Sequence, residues 1–172
     1  MRVPSFAGWR FAGIAVLGHL RRRWLLYAAM ACVALVLHAH FRIGVNVSPS
    51  LPYRLFLVAL DQRPTKVGDL VSFEWQRSTF YEPHAWFTKR VAAVGGQRIT
   101  VKDRKVFVDG EFVAYAKTHS KRGVPLEPIS EGVIPAGALF VLTPHEDSLD
   151  SRYSVTGLVE PARVIGRAHV LF

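Results

Sequence analysis

The stretch Trp86 to Val94 reads WFTKRVAAV and runs directly into Gly95-Gly96. Its aromatic and β-branched residues favour a β-strand, and the glycine pair predicts a turn at the end of that strand. Because side chains alternate along a strand, Phe87, Lys89 and Val91 lie on one face. The sequence therefore predicts a strand on which a lysine shares its face with apolar residues. A lysine in such a place usually extends its amine to solvent, so this strand alone assigns it no other role.

Further short apolar runs follow the same pattern and are separated by turn residues. Asp109-Gly110 is a dipeptide typical of a tight hairpin, and a turn at residues 66–69 precedes another apolar run. Many short strands with closely spaced turns predict a mainly β domain. The other predicted strands are residues 55–60, 70–75, 98–102, 105–108, 111–115, 138–142 with a lead-in at 132–135, and 164–172.

The N-terminal part contains one long apolar run, residues 24–37, with the sequence WLLYAAMACVALVL. It is shorter than the roughly 20 residues that cross a hydrocarbon core, but helix tilt, bilayer thinning and flanking arginine stems can make up the difference. Arg21-Arg22-Arg23 precedes it directly, which by the positive-inside rule places the N-terminus in the cytoplasm. We therefore predict a cytoplasmic basic segment (1–23), a transmembrane anchor (24–41) and an extracytoplasmic β domain (42–172). A cleaved signal peptide and a buried core helix are the alternatives, although no convincing small-x-small cleavage site follows the run.

The formal net charge of +9 belongs mainly to this N-terminal part. The first 60 residues carry seven arginines and no acidic residue, whereas the rest carries 15 lysines and arginines against 13 acidic residues. Nucleic-acid binding needs basic side chains clustered on a folded face, so we predict no nucleic-acid partner. The single cysteine, Cys32, excludes an intrachain disulfide, and the seven histidines lack the spacing of a zinc site. We predict neither a metal nor a cofactor.

Three segments carry residue types that are used in hydrolysis. Residues 46–52 read NVSPSLP, residues 88–96 read TKRVAAVGG, and residues 147–153 read DSLDSRY. Each is a weak signal by itself, because a serine beside a proline, like an Asp-Ser-Arg string, usually forms a turn. Their combination is more specific, because the first follows the apolar run and the others come in a fixed order after it.

In this order the three segments resemble the serine–lysine signal peptidase family over roughly residues 45–170. That family places a Ser-x-x-Pro or Ser-x-Pro motif just beyond a membrane anchor, followed by a Lys-Arg-Val strand and a Ser-x-Asp-Ser-Arg segment. Ser50-Leu51-Pro52 has the shorter spacing, which resembles the conjugative-transfer (TraF-type) branch of pilin-processing signal peptidases. The resemblance implies a signal-peptidase-like antiparallel β domain with one N-terminal transmembrane helix.

The resemblance also implies the site residues. Ser50 matches the nucleophile and Lys89 the general base. A serine hydroxyl needs a base to take its proton, and a solvated lysine, with a pKa near ~10.4, is charged at neutral pH. Burial among apolar side chains lowers a lysine pKa by up to roughly 3–5 units, which makes a neutral amine available. Ser48 matches a position whose hydroxyl assists the oxyanion hole. Ser148 matches the serine that orients the lysine amine, and Asp150 with Arg152 matches a structural ion pair.

The implied protein is a serine endopeptidase of the bacterial cytoplasmic membrane with a periplasmic domain. Its partners are membrane lipid and an exported precursor polypeptide, of which a conjugative pilin precursor is the implied example. A housekeeping signal peptidase is one alternative and differs only in its substrates. A non-enzymatic, membrane-anchored assembly subunit of a secretion or conjugation channel is another, and it predicts a solvated Lys89 far from Ser50. An autoproteolytic DNA-linked repressor is disfavoured by the anchor and by the lack of a DNA-binding helix pair.

Overall fold

The computed structural model describes residues 6–76, 80–82 and 84–172, with the backbone alone for residues 6–16. The chain divides after His40 into an N-terminal unit, Met1–His40, and a β unit, Phe41–Phe172. The predicted boundary between anchor and β domain lies one residue later.

The N-terminal unit is formed by helix α1, Phe6–His40, whose backbone leaves helical geometry at Arg23 (φ −119°, ψ 17°). The segment Leu17–His40 is long enough and apolar enough to cross a membrane. Its large side chains, such as Trp24 and Leu35, are exposed, which argues against a buried core helix. The helix begins well before the predicted anchor, so residues 6–23 of the basic segment are helical as well.

The β unit contains a six-stranded antiparallel sheet. Its strands are β1 (Phe41–Val45), β2 (Leu55–Ala59), β3 (Leu70–Glu74), β4 (Trp86–Val94), β9 (Leu139–Leu142) and β10 (Val164–Val170). Their order across the sheet is β1-β2-β10-β3-β4-β9, so β4 lies between β3 and β9. Each pair of neighbours is antiparallel. The strand that carries Lys89 is therefore held on both sides by backbone hydrogen bonds.

The β unit also contains a second, four-stranded antiparallel sheet. It is formed by β5 (Arg98–Lys102), β6 (Lys105–Val108), β7 (Glu111–Tyr115) and β8 (Gly132–Val133), in the order β7-β6-β5-β8. Asp109 and Gly110 both have positive φ values, 49° and 87°, as the hairpin turn between β6 and β7 requires. The prediction of a mainly antiparallel β domain is confirmed, and β4, β5, β6 and β7 have the predicted bounds.

One strand was not predicted from the sequence. Strand β1 follows the last residue of α1 directly, without a turn residue that would separate the two. Its extended conformation is supported by pairing with β2 over five positions, from Phe41↔Ala59 to Val45↔Leu55. A short 3-10 helix, Pro161–Arg163, was likewise not predicted. The β1–β2 connection contains Ser48 and Ser50, two of the predicted site residues.

The apolar core beside β4 determines the environment of Lys89. A buried cluster around Val71, Phe73, Val91 and Val141 joins β3, β4 and β9, and Phe87 packs against it. Val91 is fully buried on the same face of β4 as Lys89. The face of β4 that Lys89 shares with Phe87 and Val91 is thus an interior face.

Candidate active site

Lys89 is a buried cation with few polar neighbours. Its side chain is 3% exposed, and its Nζ donates a hydrogen bond of 2.6 Å to Ser148 Oγ. The Nζ also lies 5.8 Å from the centroid of the Phe87 ring. Burial lowers the pKa of Lys89 from 10.5 to about 8, while Asp150 raises it and Arg152 lowers it by smaller amounts. A substantial fraction of the amine is therefore neutral in mildly alkaline solution.

The partner of Lys89 lies in a loop that is fixed by a buried ion pair. Arg152 Nε donates to Asp150 Oδ1 at 2.8 Å, and Arg152 Nη2 donates to Asp150 Oδ2 at 3.0 Å. Asp150 also accepts a hydrogen bond from the Thr143 backbone N–H, and Arg152 donates to the Thr143 carbonyl. These bonds tie the loop to the end of β9. The predicted structural pair is thus formed, and it lies two to four residues from Ser148.

Ser50 lies in the connection between β1 and β2. It is half-buried, and its Oγ is 2.8 Å from Ser48 Oγ. The Ser48 hydroxyl also lies 3.0 Å from Asn46 Oδ1, to which it donates. A hydroxyl has one proton, so Ser48 Oγ accepts from Ser50 when it donates to Asn46. In this arrangement the Ser50 proton points toward Ser48.

Asn46 organises this loop, and no role was predicted for it from the sequence. Its Nδ2 donates to the carbonyls of Leu51 and Tyr53, at 3.2 and 2.9 Å. Its Oδ1 accepts from both the backbone N–H and the hydroxyl of Ser48. Two carbonyl acceptors on one side fix the orientation of the amide, so the oxygen must face Ser48. An Asn two residues before a serine is typical of an Asx turn, and this pattern was the feature of the sequence that could have indicated a role for Asn46.

The six predicted residues form three contacts. Lys89 meets Ser148, Asp150 meets Arg152, and Ser50 meets Ser48. Among the hydrogen bonds of the described residues, none joins Ser50 Oγ directly to Lys89 Nζ. In the structure, Lys89 is thus paired with Ser148 and Ser50 is paired with Ser48, as two separate pairs.

A pocket connects the loop of Ser50 to the strand of Lys89. It has a volume of about 280 Å³ and is lined by Asn46 and Val47 from the loop and by Trp86 and Thr88 from β4. Thr88 directly precedes Lys89, and Asn46 is bonded to Ser48. The nucleophile loop and the base strand therefore border the same cavity. Because side chains alternate on β4, Lys89 lies on the opposite face from Thr88, and its amine is not a lining group.

The sequence matches that of a known protein family. Residues 18–172 match the family described as signal peptidase, peptidase S26. This match covers most of the chain, so the protein belongs to the S26 signal peptidase family. The assignment agrees with the mainly antiparallel β fold.

Curated relatives of this chain include proteins named for conjugal transfer. The conjugal transfer protein TraF of Agrobacterium fabrum is 32% identical over 145 residues, which cover 74% of this chain and 81% of the relative. The conjugal transfer protein TraF of Agrobacterium tumefaciens is 32% identical over 176 residues, covering 86% and 98%. A probable conjugal transfer protein TraF of Sinorhizobium fredii is 31% identical over 157 residues, covering 81% and 82%.

Among solved structures, a signal peptidase I from Enterococcus faecalis overlaps 65% of this chain and all of its own chain. The two are 23% identical, and the TM-score is 0.38.

Proposed function

We propose that this protein is a membrane-bound serine endopeptidase that cleaves leader sequences of exported precursors, with Ser50 as nucleophile and Lys89 as general base. The observation that carries the proposal is the environment of Lys89. Its amine is 3% exposed, hydrogen-bonded to Ser148 and has a pKa lowered to about 8. A lysine that serves only for solubility has no reason to lose water, since burying an ammonium group is unfavourable.

The first half of the reaction forms an acyl-enzyme. The Ser50 hydroxyl rotates from Ser48 toward the neutral Lys89 amine, which takes its proton as the oxygen attacks the scissile carbonyl carbon. The resulting oxyanion is stabilised by the Ser50 backbone N–H and by the Ser48 hydroxyl, which turns away from Asn46. Lys89, now an ammonium, donates its proton to the leaving amine as the carbon–nitrogen bond breaks.

The second half of the reaction releases the product. Lys89, neutral again, takes a proton from a water molecule, whose oxygen attacks the ester carbon. The bond between this carbon and Ser50 Oγ breaks, and the proton returns to Ser50. Ser148 keeps the amine oriented through both halves, because its hydroxyl can accept from the ammonium or donate to the amine.

The substrate that we propose is an extended precursor segment with small side chains before the cut. The pocket of about 280 Å³ between Asn46 and Thr88 supports this proposal, because it lies beside the loop of Ser50. Strand β1 is at the edge of its sheet, where an added strand finds unpaired backbone groups. Conjugal-transfer names among the relatives support a pilin precursor as the substrate, whereas a housekeeping peptidase would take many precursors.

We also propose that α1 anchors the enzyme with its N-terminus in the cytoplasm. Arg21-Arg22-Arg23 lies before the longest uncharged part of Leu17–His40 and supports this orientation. The first strand of the β unit starts at Phe41, immediately after this segment. Ser50 then follows the end of α1 by ten residues along the chain, on the outer side of the membrane in the proposed orientation.

The non-enzymatic alternative fits this environment less well. A scaffold subunit predicts that Lys89 is solvated, and the observed side chain is almost fully buried among apolar groups. The separation of Ser50 and Lys89 into two hydrogen-bonded pairs is compatible with both readings. Cleavage experiments therefore decide between them.

The proposal is tested by co-expressing the full-length protein with a conjugative pilin precursor from the same cell. Ser50→Ala and Lys89→Ala are each expected to leave the precursor uncut, because either change removes a group that the acylation step needs. Ser154→Ala and Lys102→Ala are matched controls, since both residues are exposed and outside the site, and these variants should cleave like the wild type. Wild-type cleavage by either site variant would contradict the assigned pair.

A further inference from the structure

A second pocket is lined in part by the two chain neighbours of Ser148. It has a volume of about 210 Å³, which is below the roughly 300–1,000 Å³ of sites for drug-sized ligands. A single side chain or a chain end matches this size better than a whole small molecule does. Its lining combines apolar or aromatic groups with charged ones, and we call it the basic–aromatic pocket. Its lining includes Tyr81, Lys117, Lys121, Arg122, Asp147 and Leu149.

This pocket adjoins the proposed catalytic lysine at two points. Asp147 and Leu149, the residues on either side of Ser148, both line it. Tyr81 also lines it and packs against Phe87, with ring centroids 4.9 Å apart. Ser148 and Phe87 are the groups next to the Lys89 amine, at 2.6 and 5.8 Å. A group bound in the pocket would therefore lie close to the reacting atoms.

The charge in the pocket is positive. Three cationic side chains line it, and Asp147 is the one carboxylate. Asp147 is already shared, because Lys117 Nζ lies 2.6 Å from its Oδ1 and Lys121 Nζ lies 3.1 Å from its Oδ2. Lys117 also contacts Glu146 at 3.2 Å.

Arg122 differs from the two lysines. Its guanidinium makes no hydrogen bond or ion pair with another residue in the described part of the chain, although its backbone N–H donates to Ser120 Oγ. A guanidinium presents a planar set of donors that matches a carboxylate in a bidentate manner. Arg122 is therefore the cation in this pocket that is available for an anionic group.

We propose that the basic–aromatic pocket binds an acidic side chain of the precursor next to the scissile bond, with Arg122 as the principal partner. The inference rests on the proposed function and adds a determinant of substrate choice to it. An acidic peptide is favoured over an anionic lipid because the pocket flanks Ser148 and has the size of a single side chain. The apolar groups Leu149 and Tyr81 would contact the methylene part of that side chain.

The test uses the full-length protein in neutral detergent and a set of fluorogenic peptides. Each peptide carries alanine before the scissile bond and either Glu or Gln at one of the first four positions after it. At one position at least, the wild type is expected to cleave the Glu peptide with a kcat/KM about five- to tenfold higher, mainly through KM. The preference should fall at high salt, because exposed charges are screened.

Variants locate the effect. Arg122→Gln should reduce the Glu/Gln ratio to about one, whereas Lys105→Gln, an exposed cation on β6 outside the pocket, should keep the wild-type ratio. Equal cleavage of Glu and Gln peptides at all four positions by an active wild type would overturn the inference. A preference that persists in Arg122→Gln would overturn it as well.

Lipid binding and a lack of peptide cleavage give two further outcomes. If Arg122→Gln leaves the Glu/Gln ratio unchanged but weakens binding to vesicles of anionic lipid relative to vesicles of neutral lipid, the pocket serves lipid and the inference is wrong. If the wild type cleaves no peptide, this result contradicts the proposed function but does not by itself decide the inference about the pocket. The inference is then decided by fluorescence anisotropy with the Ser50→Ala protein, where tighter binding of the Glu peptide supports it and equal binding contradicts it.

Discussion

At the scale of single residues, Lys89 carries two opposing energetic effects. Its pKa is lowered from 10.5 to about 8, mainly because burial removes water from the ammonium. That difference corresponds to on the order of 3 kcal/mol of folding free energy. The same burial provides the neutral amine that the proposed reaction needs. Burial of Lys89 thus lowers the folding stability at the residue that the proposed reaction uses as its base.

A stability measurement can detect this loss. Between about pH 8 and 10.5 the unfolded chain holds a proton at Lys89 that the folded chain releases, so stability rises with pH across this range. Below it the full penalty is present. Lys89→Met, which keeps the volume but removes the charge, should therefore raise the free energy of unfolding at pH 7 by about 1–3 kcal/mol. This gain should shrink toward pH 10.5 in denaturant titrations of the full-length protein in detergent, and a variant less stable than the wild type at pH 7 would contradict the burial argument.

Asn46 provides a second prediction at this scale. Its side chain makes four hydrogen bonds within the loop that holds Ser48 and Ser50. Asn46→Ala should lower kcat by about tenfold or more, because the loop loses the bonds that define its shape. The melting temperature should change little. Gln62→Ala, which removes an exposed side chain bonded to His169, is the control and should retain wild-type kcat. An unchanged kcat in Asn46→Ala would show that this loop needs no such bracing.

The site could be predicted from the sequence only in part. Ser50, Lys89 and Ser148 follow from three short motifs in a fixed order, and the Lys89–Ser148 bond agrees with the role inferred from the resemblance. Asn46 was not assigned because its function depends on the loop folding back so that Leu51 and Tyr53 present their carbonyls to it. The pairing of Ser50 with Ser48 likewise depends on side-chain rotamers, which a motif does not specify.

At the scale of elements, the strands with clear turns on both sides were the ones predicted best. Strands β5, β6 and β7 are bounded by polar turns or by Asp109-Gly110, and their limits match. Strand β1 has no such boundary, because FRIGV continues from the apolar helix without a break. Its identity depends on pairing with β2, a contact between chain segments that local composition does not reveal.

Two glycines in strands test the packing of the first sheet. A Cβ on Gly166 of β10 would lie 2.1 Å from the Ala59 carbonyl oxygen, whereas a Cβ on Gly44 of β1 would lie no closer than 3.7 Å to any atom. Gly166→Ala should therefore destabilise the β unit by roughly 3 kcal/mol or more, because backbone must move in the middle of a sheet. Gly44→Ala should stay within about 1 kcal/mol of the wild type. Thermal unfolding of both variants measures the difference, and equal melting temperatures would be inconsistent with the close approach of β10 and β2.

At the scale of the whole molecule, the charge distribution predicts how the chain is oriented in a membrane. Arginine without acidic residues precedes the apolar segment, while the rest of the chain is nearly balanced. A reporter enzyme that is active only outside the cytoplasm, fused after Phe172, should be active. A reporter that is active only inside should be inactive at the same site. The opposite pattern would reverse the proposed orientation and separate the site from exported precursors.

The pH dependence of cleavage tests the central claim most directly. With full-length wild type and a peptide that it cleaves, kcat/KM should rise about tenfold per pH unit below pH 8 and level off above it. This follows because the reactive form in the proposed mechanism is the neutral Lys89 amine, whose pKa is about 8. A rate that is constant from pH 6 to 9, or one that continues to rise to pH 10.5 as for a solvated lysine, would contradict a buried Lys89 acting as the base for Ser50.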